Sequence, residues 1–232
     1  MSVLASASAY WYLTRSTGAV AMLLLTGTVA LGVIDLRRYA SARWPRFVLD
    51  ALHRNLALLT LVFLAIHIAT AVLDSFAPIS ITASVIPFAS SYRPFWLGLG
   101  AISFDLLLAV TITSLLRRRI GYERWRAVHW LSYAAWPVAL LHGLGTGSDV
   151  KSGWLQLLSV ACLVVVVACV VARAAERQAS PRIRGAALAC TGGFALFLAV
   201  WLPAGPLGSE WARRSGTPSA LLGKAKQKKA QR

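Results

Sequence analysis

Residues 53–67 read HRNLALLTLVFLAIH. Two histidines bracket a run broken only by Arg54, Asn55 and Thr60, and the apolar character extends outward over about 48–73. That is long enough for a bilayer-spanning helix, which needs ~20 mostly apolar residues. Ionisable side chains inside such a segment are costly and mark function by default. A step of 14 residues rises about 21 Å and returns to within about 40° of the same helix face. His53 and His67 are therefore read as two levels of one stripe on a membrane helix.

Five further runs qualify as spans, at roughly 12–34, 96–116, 127–147, 154–173 and 185–207. Across the 232 residues 57% are apolar and 14% are charged, against ~25% charged in a soluble domain. The charges are lopsided, with 24 Lys and Arg against 8 Asp and Glu, a formal +16. A disordered basic chain would be poor in Leu, Val and aromatics. A soluble nucleic-acid binder would need more polar surface than this, so no nucleic-acid partner is expected. The chain reads as one all-α integral membrane domain over 1–207, a six-helix bundle, followed by a basic, disordered tail over 208–232. The first run is not read as a cleaved signal peptide, because Met1 to Leu13 carries no charge to form a basic leader. Cys162, Cys169 and Cys190 lie in apolar runs without CxxC spacing, which points to neither a disulfide framework nor a zinc site.

Basic loops set the expected orientation. The 35–46 connection holds Arg37, Arg38, Arg43 and Arg46 against Asp35, net +3. The 117–126 connection holds Arg117, Arg118, Arg119, Arg124 and Arg126 against Glu123, net +4. The 173–184 connection holds Arg173, Arg177, Arg182 and Arg184 against Glu176, net +3. Lys and Arg favour the cytoplasmic side of short loops. These three connections are expected inside a bacterial-type plasma membrane and both termini outside. The tail dissents: Lys224, Lys226, Lys228, Lys229 and Arg232 help give 208–232 a net +6. Were the last run not to span, the tail would lie inside and the bundle would have five helices.

The chain's other two histidines, His129 and His142, fall on the fourth run, 13 residues apart. The second and fourth runs are separated by two crossings and so run parallel. His53 then shares a depth with His129 near the cytoplasmic side, and His67 shares one with His142 near the outer side. Two imidazoles at one depth form the axial ligand set of a b-type haem. Two such layers predict two stacked haems between helices 2 and 4, with irons ~20 Å apart by helical rise. A step of 13 misses the same face by about 140°. Pro137, between the two histidines, is expected to kink the helix and re-aim His142.

The sequence resembles the ferric reductase-like transmembrane domain family. This family includes the haem-carrying core of NADPH oxidases, ferric reductases and the membrane subunit of the bacterial periplasmic methionine sulfoxide reductase system. The resemblance covers about residues 12–175. It rests on His53-Arg54-Asn55 followed by His67, on Thr113-Ser114-Leu115-Leu116-Arg117, on Trp125-Arg126-Ala127-Val128-His129, on Tyr133, and on His142-Gly143. It implies haem b on the four matching histidines, His53, His67, His129 and His142, as metal ligands. Oxidases and eukaryotic ferric reductases continue into a flavin- and nicotinamide-binding domain, which these residues do not show. The sulfoxide reductase subunit retains fewer haem ligands, which sets that subgroup apart.

Other residues have more than one reading. Arg54 and Arg126, nearest the inner ligands, could pair haem propionates bidentately or anchor the helix ends. Arg46 and Arg124 read as anchors; Arg93 and Lys151 are the cations available on the outer side. Asp105, within the third run, could carry protons or bond a neighbouring helix. Trp11, Trp44, Trp96, Trp125, Trp154 and Trp211 read as interfacial belt residues. Trp130 and Trp136 lie deeper and could pack on porphyrin. Gly18, Gly27, Gly32, Gly98, Gly100, Gly143 and Gly145 allow close approach of a helix or a haem. The proline-rich 74–95 connection could cap the outer haem.

The expected function is transmembrane electron transfer by a ferric reductase-like oxidoreductase subunit. Electrons would pass from a cytoplasmic flavoprotein reductase or from quinol to an extracytoplasmic acceptor, a flavin-binding or other protein. Bis-histidine ligation leaves no open iron position, so no catalytic residue is assigned and the haems are relays. Flavin is expected only through a partner, because no G-x-G-x-x-G follows a strand. The remaining partner is the lipid bilayer. Two alternatives stand beside this: a single-haem membrane subunit of a methionine sulfoxide reductase-like system, and a non-redox multipass membrane protein.

Overall fold

The structure is a computed structural model that describes residues 9–36, 45–175 and 181–222. Arg37, Arg38, Arg43 and Arg177 of the basic loops lie outside the described residues, as do Lys224, Lys226, Lys228, Lys229 and Arg232 of the tail. Every regular element among the described residues is helical. In chain order these are α1 (Ala9–Leu36), α2 (Arg46–Leu73), α3 (Ile81–Val85), α4 (Pro94–Leu115) and α5 (Arg117–Ile120). There follow α6 (Tyr122–His129), α7 (Ser132–Thr146), α8 (Gly153–Ala174), α9 (Pro181–Ala204) and α10 (Trp211–Arg214).

Among the described residues, five helices are long and apolar enough to cross a bilayer: Ala9–Val33, Arg46–Leu73, Pro94–Leu115, Gly153–Ala174 and Arg184–Ala204. The expected six regular spans are not reproduced, because the fourth run is divided between α6 and α7. At 1.5 Å per residue, the 15 residues of α7 rise only about 22 Å, short of a ~30 Å hydrocarbon core. The division lies at Trp130 and Leu131, whose dihedrals (−61°, −24° and −63°, −20°) stay helical. The hydrogen bonds tighten there: Leu131, Tyr133 and Ala134 donate to the carbonyls of Val128, Trp130 and Leu131, three residues back. This is a 3₁₀ turn, and each such residue advances about 120° instead of 100°. Three of them add about 60° and narrow the 13-residue miss from about 140° to about 80°. Pro137 sits inside α7, so the departure from α geometry is seven residues before the proline expected to cause it.

The chain forms two units. One comprises residues 1–18, 65–148 and 209–232; the other comprises 19–64 and 149–208. In the first, α4 and α7 pair closely, and α3 and α6 also pack on α4. The pairing uses small residues as sockets for large ones. A Cβ at Gly145 on α7 would collide with the Trp96 indole of α4, and one at Gly98 with the Phe88 ring. Ser103 Oγ donates to the Ala135 carbonyl across the same contact at 3.0 Å. Between helices in lipid, such close approach takes the place of the hydrophobic drive available in water. The 74–95 connection carries α3, N-capped by Ser80, and its Phe88 covers the start of α4.

In the second unit, α8 packs against α9, with Cys162 and Leu198 buried. Gly27 receives the side chain of Leu56. The outward faces are apolar: Leu157 is 72% exposed, Val164 59% and Val200 67%. In water that surface would be a liability; in lipid it is the solvent-matched face.

Candidate functional site

Three of the four imidazoles are held the same way. His67 Nδ1 lies 2.7 Å from the carbonyl oxygen of Thr14 on α1. His142 Nδ1 lies 2.9 Å from that of Trp96 on α4. His53 Nδ1 lies 3.0 Å from that of Thr28 on α1. A carbonyl only accepts, so each Nδ1 carries the proton and donates it. In a neutral imidazole the lone pair then sits on Nε2. This is the arrangement of a metal-ligating histidine, whose other nitrogen is tied to a carbonyl or carboxylate. The two carbonyls on α1 are 14 residues apart, as are the two histidines they hold.

Room for each ring comes from glycine. A Cβ at Gly18 would lie 2.9 Å from His67 Cε1 and Nδ1, and one at Gly100 would lie 2.5 Å from the same atoms of His142. At Gly32 it would lie 3.3 Å from His53 Cε1.

Within the first unit the structure brings His67 and His142 together. Their ring centroids are 6.3 Å apart and the planes are nearly perpendicular, at 89°. Metal–imidazole bonds run about 2 Å, and two rings on opposite sides of one ion have centroids about 6 Å apart on that bond length. The pair therefore fits a single shared metal. Among the described residues no group of three or more His, Cys, Asp or Glu side chains is placed to hold an ion. Two imidazoles make a complete site only where another group supplies the remaining ligands.

His53 belongs to the second unit and His129 to the first. His129 ends α6 and packs on Trp125, with ring centroids 4.9 Å apart. Arg54 is exposed. Arg126 is also exposed, and its guanidinium lies 5.6 Å from the Tyr122 ring. Asp105 is half-buried on α4. Trp136 is 2% exposed and part of the core, whereas Trp130 is 60% exposed and rests on Tyr133. Only the first of these two faces inward, as both were expected to.

Several residues around His142 escaped the sequence reading. Trp96, read from sequence as a belt residue, packs against Trp211, and its carbonyl orients a histidine. Trp211 lies 5.1 Å from the Trp96 ring and donates its Nε1–H to the Gly145 carbonyl at 3.1 Å. Arg93 is 7% exposed. Its Nη1 donates to the carbonyls of Gly145 and Thr146, at 3.0 and 3.1 Å, and its Nε to Thr217 Oγ1 at 3.0 Å. The Arg93 amide donates to the Gly216 carbonyl. The last carbonyls of a helix have no partner within it and carry partial negative charge, so Arg93 caps α7 with a buried cation. Beside it, burial pushes the Tyr92 phenol above its ordinary pKa, partly offset by the Arg93 charge. Residues 209–217, assigned to the tail by sequence, thus brace the end of the helix that carries His142. The signal available was Trp211, an aromatic residue in an otherwise polar stretch.

The model of the ferric reductase-like transmembrane component family matches residues 9–140. The chain belongs to this family. The match includes His53, His67 and His129 and stops two residues before His142. Family membership and five apolar helices make the protein an integral, multi-pass membrane protein of a redox family. It is similar to the protein-methionine-sulfoxide reductase heme-binding subunit MsrQ of Ralstonia nicotianae (strain ATCC BAA-1114 / GMI1000), with 31% identity over 134 residues. That stretch is 56% of this chain and 57% of the relative, so the likeness spans little more than half of each. No solved structure matches the chain.

Proposed function

We propose that this chain is the haem-carrying membrane subunit of an electron-transfer system. His67 and His142 would hold one haem b, and His53 and His129 a second. The observation that carries the reading is the His67–His142 pair at 6.3 Å, with both Nδ1–H groups tied to backbone carbonyls. The heme-binding role printed for the Ralstonia relative supports it. When bound, each haem would supply one-electron oxidation and reduction.

The chain's residues hold and orient the ligands. Thr14 and Trp96 accept the Nδ1 protons of the outer pair. Thr14 Oγ1 also donates to Thr70 Oγ1 at 2.9 Å, which ties α1 to α2 one turn beyond His67. Arg93 and Trp211 fix the end of α7. Arg54 and Arg126 are positioned by sequence to pair propionates near the inner ligands. By the bias of Lys and Arg toward the cytoplasmic side, the inner pair would face the cytoplasm and both termini would lie outside. Electrons would enter from a flavoprotein reductase or quinol on that side. They would leave to an extracytoplasmic acceptor, a flavin-binding protein or a sulfoxide-reducing catalytic subunit. We assign 1–207 to the haem domain, with 208–232 as its basic C-terminal extension.

A reduced-minus-oxidised spectrum of the purified full chain, with haem quantification, tests this. Two haems per chain, with a different one lost in His53→Ala and in His142→Ala, is the expected result. A colourless preparation without a Soret band sinks the proposal. A ratio of one would favour the second reading, a single-haem subunit of a methionine sulfoxide reductase-like system. That reading draws on the relative's name and on the one histidine pair that the structure brings together.

A further inference from the structure

We infer that Gly18, Gly32 and Gly100 are positioning residues that set the tautomer and aim of three histidines. The inference rests on the haem reading above. In each case the accepting carbonyl and the glycine stand four residues apart on one helix: Thr14 and Gly18, Thr28 and Gly32, Trp96 and Gly100. The repetition has a geometric cause. Residues i and i+4 lie on one helix face, one above the other. The carbonyl of residue i points along the axis toward residue i+4 and already accepts its amide. Its second lone pair can take one more donor, but that donor must approach over residue i+4. Any side chain there fills the approach.

The three histidines enter through these gaps. With alanine at position 100, the new methyl would meet Cε1 and Nδ1 of His142 at 2.5 Å. Those atoms belong to a rigid ring wedged against the Trp96 carbonyl, so relief requires the ring to back out. Backing out lengthens the Nδ1–H···O bond and turns Nε2 away from the position shared with His67. Gly18 imposes the same choice on His67, and Gly32 a milder one on His53 at 3.3 Å. The glycines act through the imidazoles.

The test uses full-length protein purified in detergent: wild type, Gly18→Ala, Gly32→Ala, Gly100→Ala, and Gly192→Ala, where a Cβ meets nothing within 4 Å. Readouts are haem per chain, haem affinity, midpoint potentials and the EPR g-values of the ferric protein. Gly100→Ala and Gly18→Ala should weaken the outer haem roughly 10–100-fold, the range for losing an outer partner of a ligating histidine, and shift its g-values and potential. Gly32→Ala should shift the other haem by less, and Gly192→Ala should match wild type. If wild type binds haem and Gly100→Ala keeps its affinity, g-values and potential, the inference fails while the proposed function stands. If wild type binds no haem, the proposed function fails. Should Gly100→Ala accumulate poorly, thermal stability is compared with and without His142→Ala. A Gly100→Ala penalty that vanishes once the ring is gone supports the inference. An equal penalty in both backgrounds overturns it, because the glycine would then serve some other contact.

Discussion

His142 lies 6.3 Å from His67 inside one unit, on a helix with five buried residues. His129 ends an eight-residue helix in which no residue is buried, and its neighbour is an indole of its own helix. Both sit on what the sequence presents as one span. The tight turn at Trp130–Leu131 separates them, and the surroundings change across it. Past the turn, α4, the 209–217 segment and Arg93 all converge on α7. Before it, α6 meets α4 mainly through Trp125, whose Nε1 donates to Ser114 Oγ at 3.1 Å. His142 is therefore held by more of the surrounding structure than His129 is.

The harshest way to break this comparison is His142→Ala. It should remove about half of the haem, since one axial ligand of a bis-histidine pair is lost, and leave the inner haem's spectrum in place. Haem per chain and the remaining absorption band measure this. Next is Arg93→Ala, which strips two hydrogen bonds from the end of α7 and a third from Thr217. A loss of about 3 kcal/mol is expected, on the scale of bonds from a charged donor. Thermal unfolding in detergent would show it, with the outer haem released at lower temperature than the inner. Equal release of both would mean that bracing of α7 does not distinguish the two pairs.

The sequence held enough to place the spans, because their apolar content alone exceeds what a soluble helix needs. It also held the meeting of His67 with His142, which follows from spacing and the number of crossings. It did not reveal the divided fourth run. Pro137 is the visible breaker in that stretch, while the turn is made by Trp130 and Leu131, residues with no turn signature. The role of Trp96 was hidden because it is played by a backbone carbonyl that every residue type owns. Arg93 was visible only as a loop cation, since its partner Thr217 is 124 residues away in a stretch whose glycine, proline and charge read as tail. The glycines were legible as places of close approach, but what approaches them was not.

Two smaller changes sharpen the contrast. Thr70→Val removes the acceptor for Thr14 Oγ1 and should cost about 1 kcal/mol, a single neutral hydrogen bond. It should show as a small shift in the outer haem's potential only, by redox titration. Gly143→Ala should do least. It adjoins His142 in sequence, yet a Cβ there meets nothing within 4 Å, so stability should stay within about 0.5 kcal/mol of wild type. Unchanged haem content and melting temperature are the check, and a large effect would show that nearness in sequence matters more than the socket.

The threefold pairing of a carbonyl with a glycine four residues on has a consequence for how such a protein can change. No substitution deletes a main-chain oxygen, so the bond to the histidine does not by itself specify the side chains at 14, 28 and 96. It does specify glycine at 18, 32 and 100, because any side chain there closes the approach. The inheritance of each imidazole's orientation is thus written one helical turn downstream of the atom that enforces it. Among descendants of this chain, the glycines at 18, 32 and 100 should persist on account of the histidines, whereas Trp96 and Thr14 should persist only as far as their own side-chain contacts require.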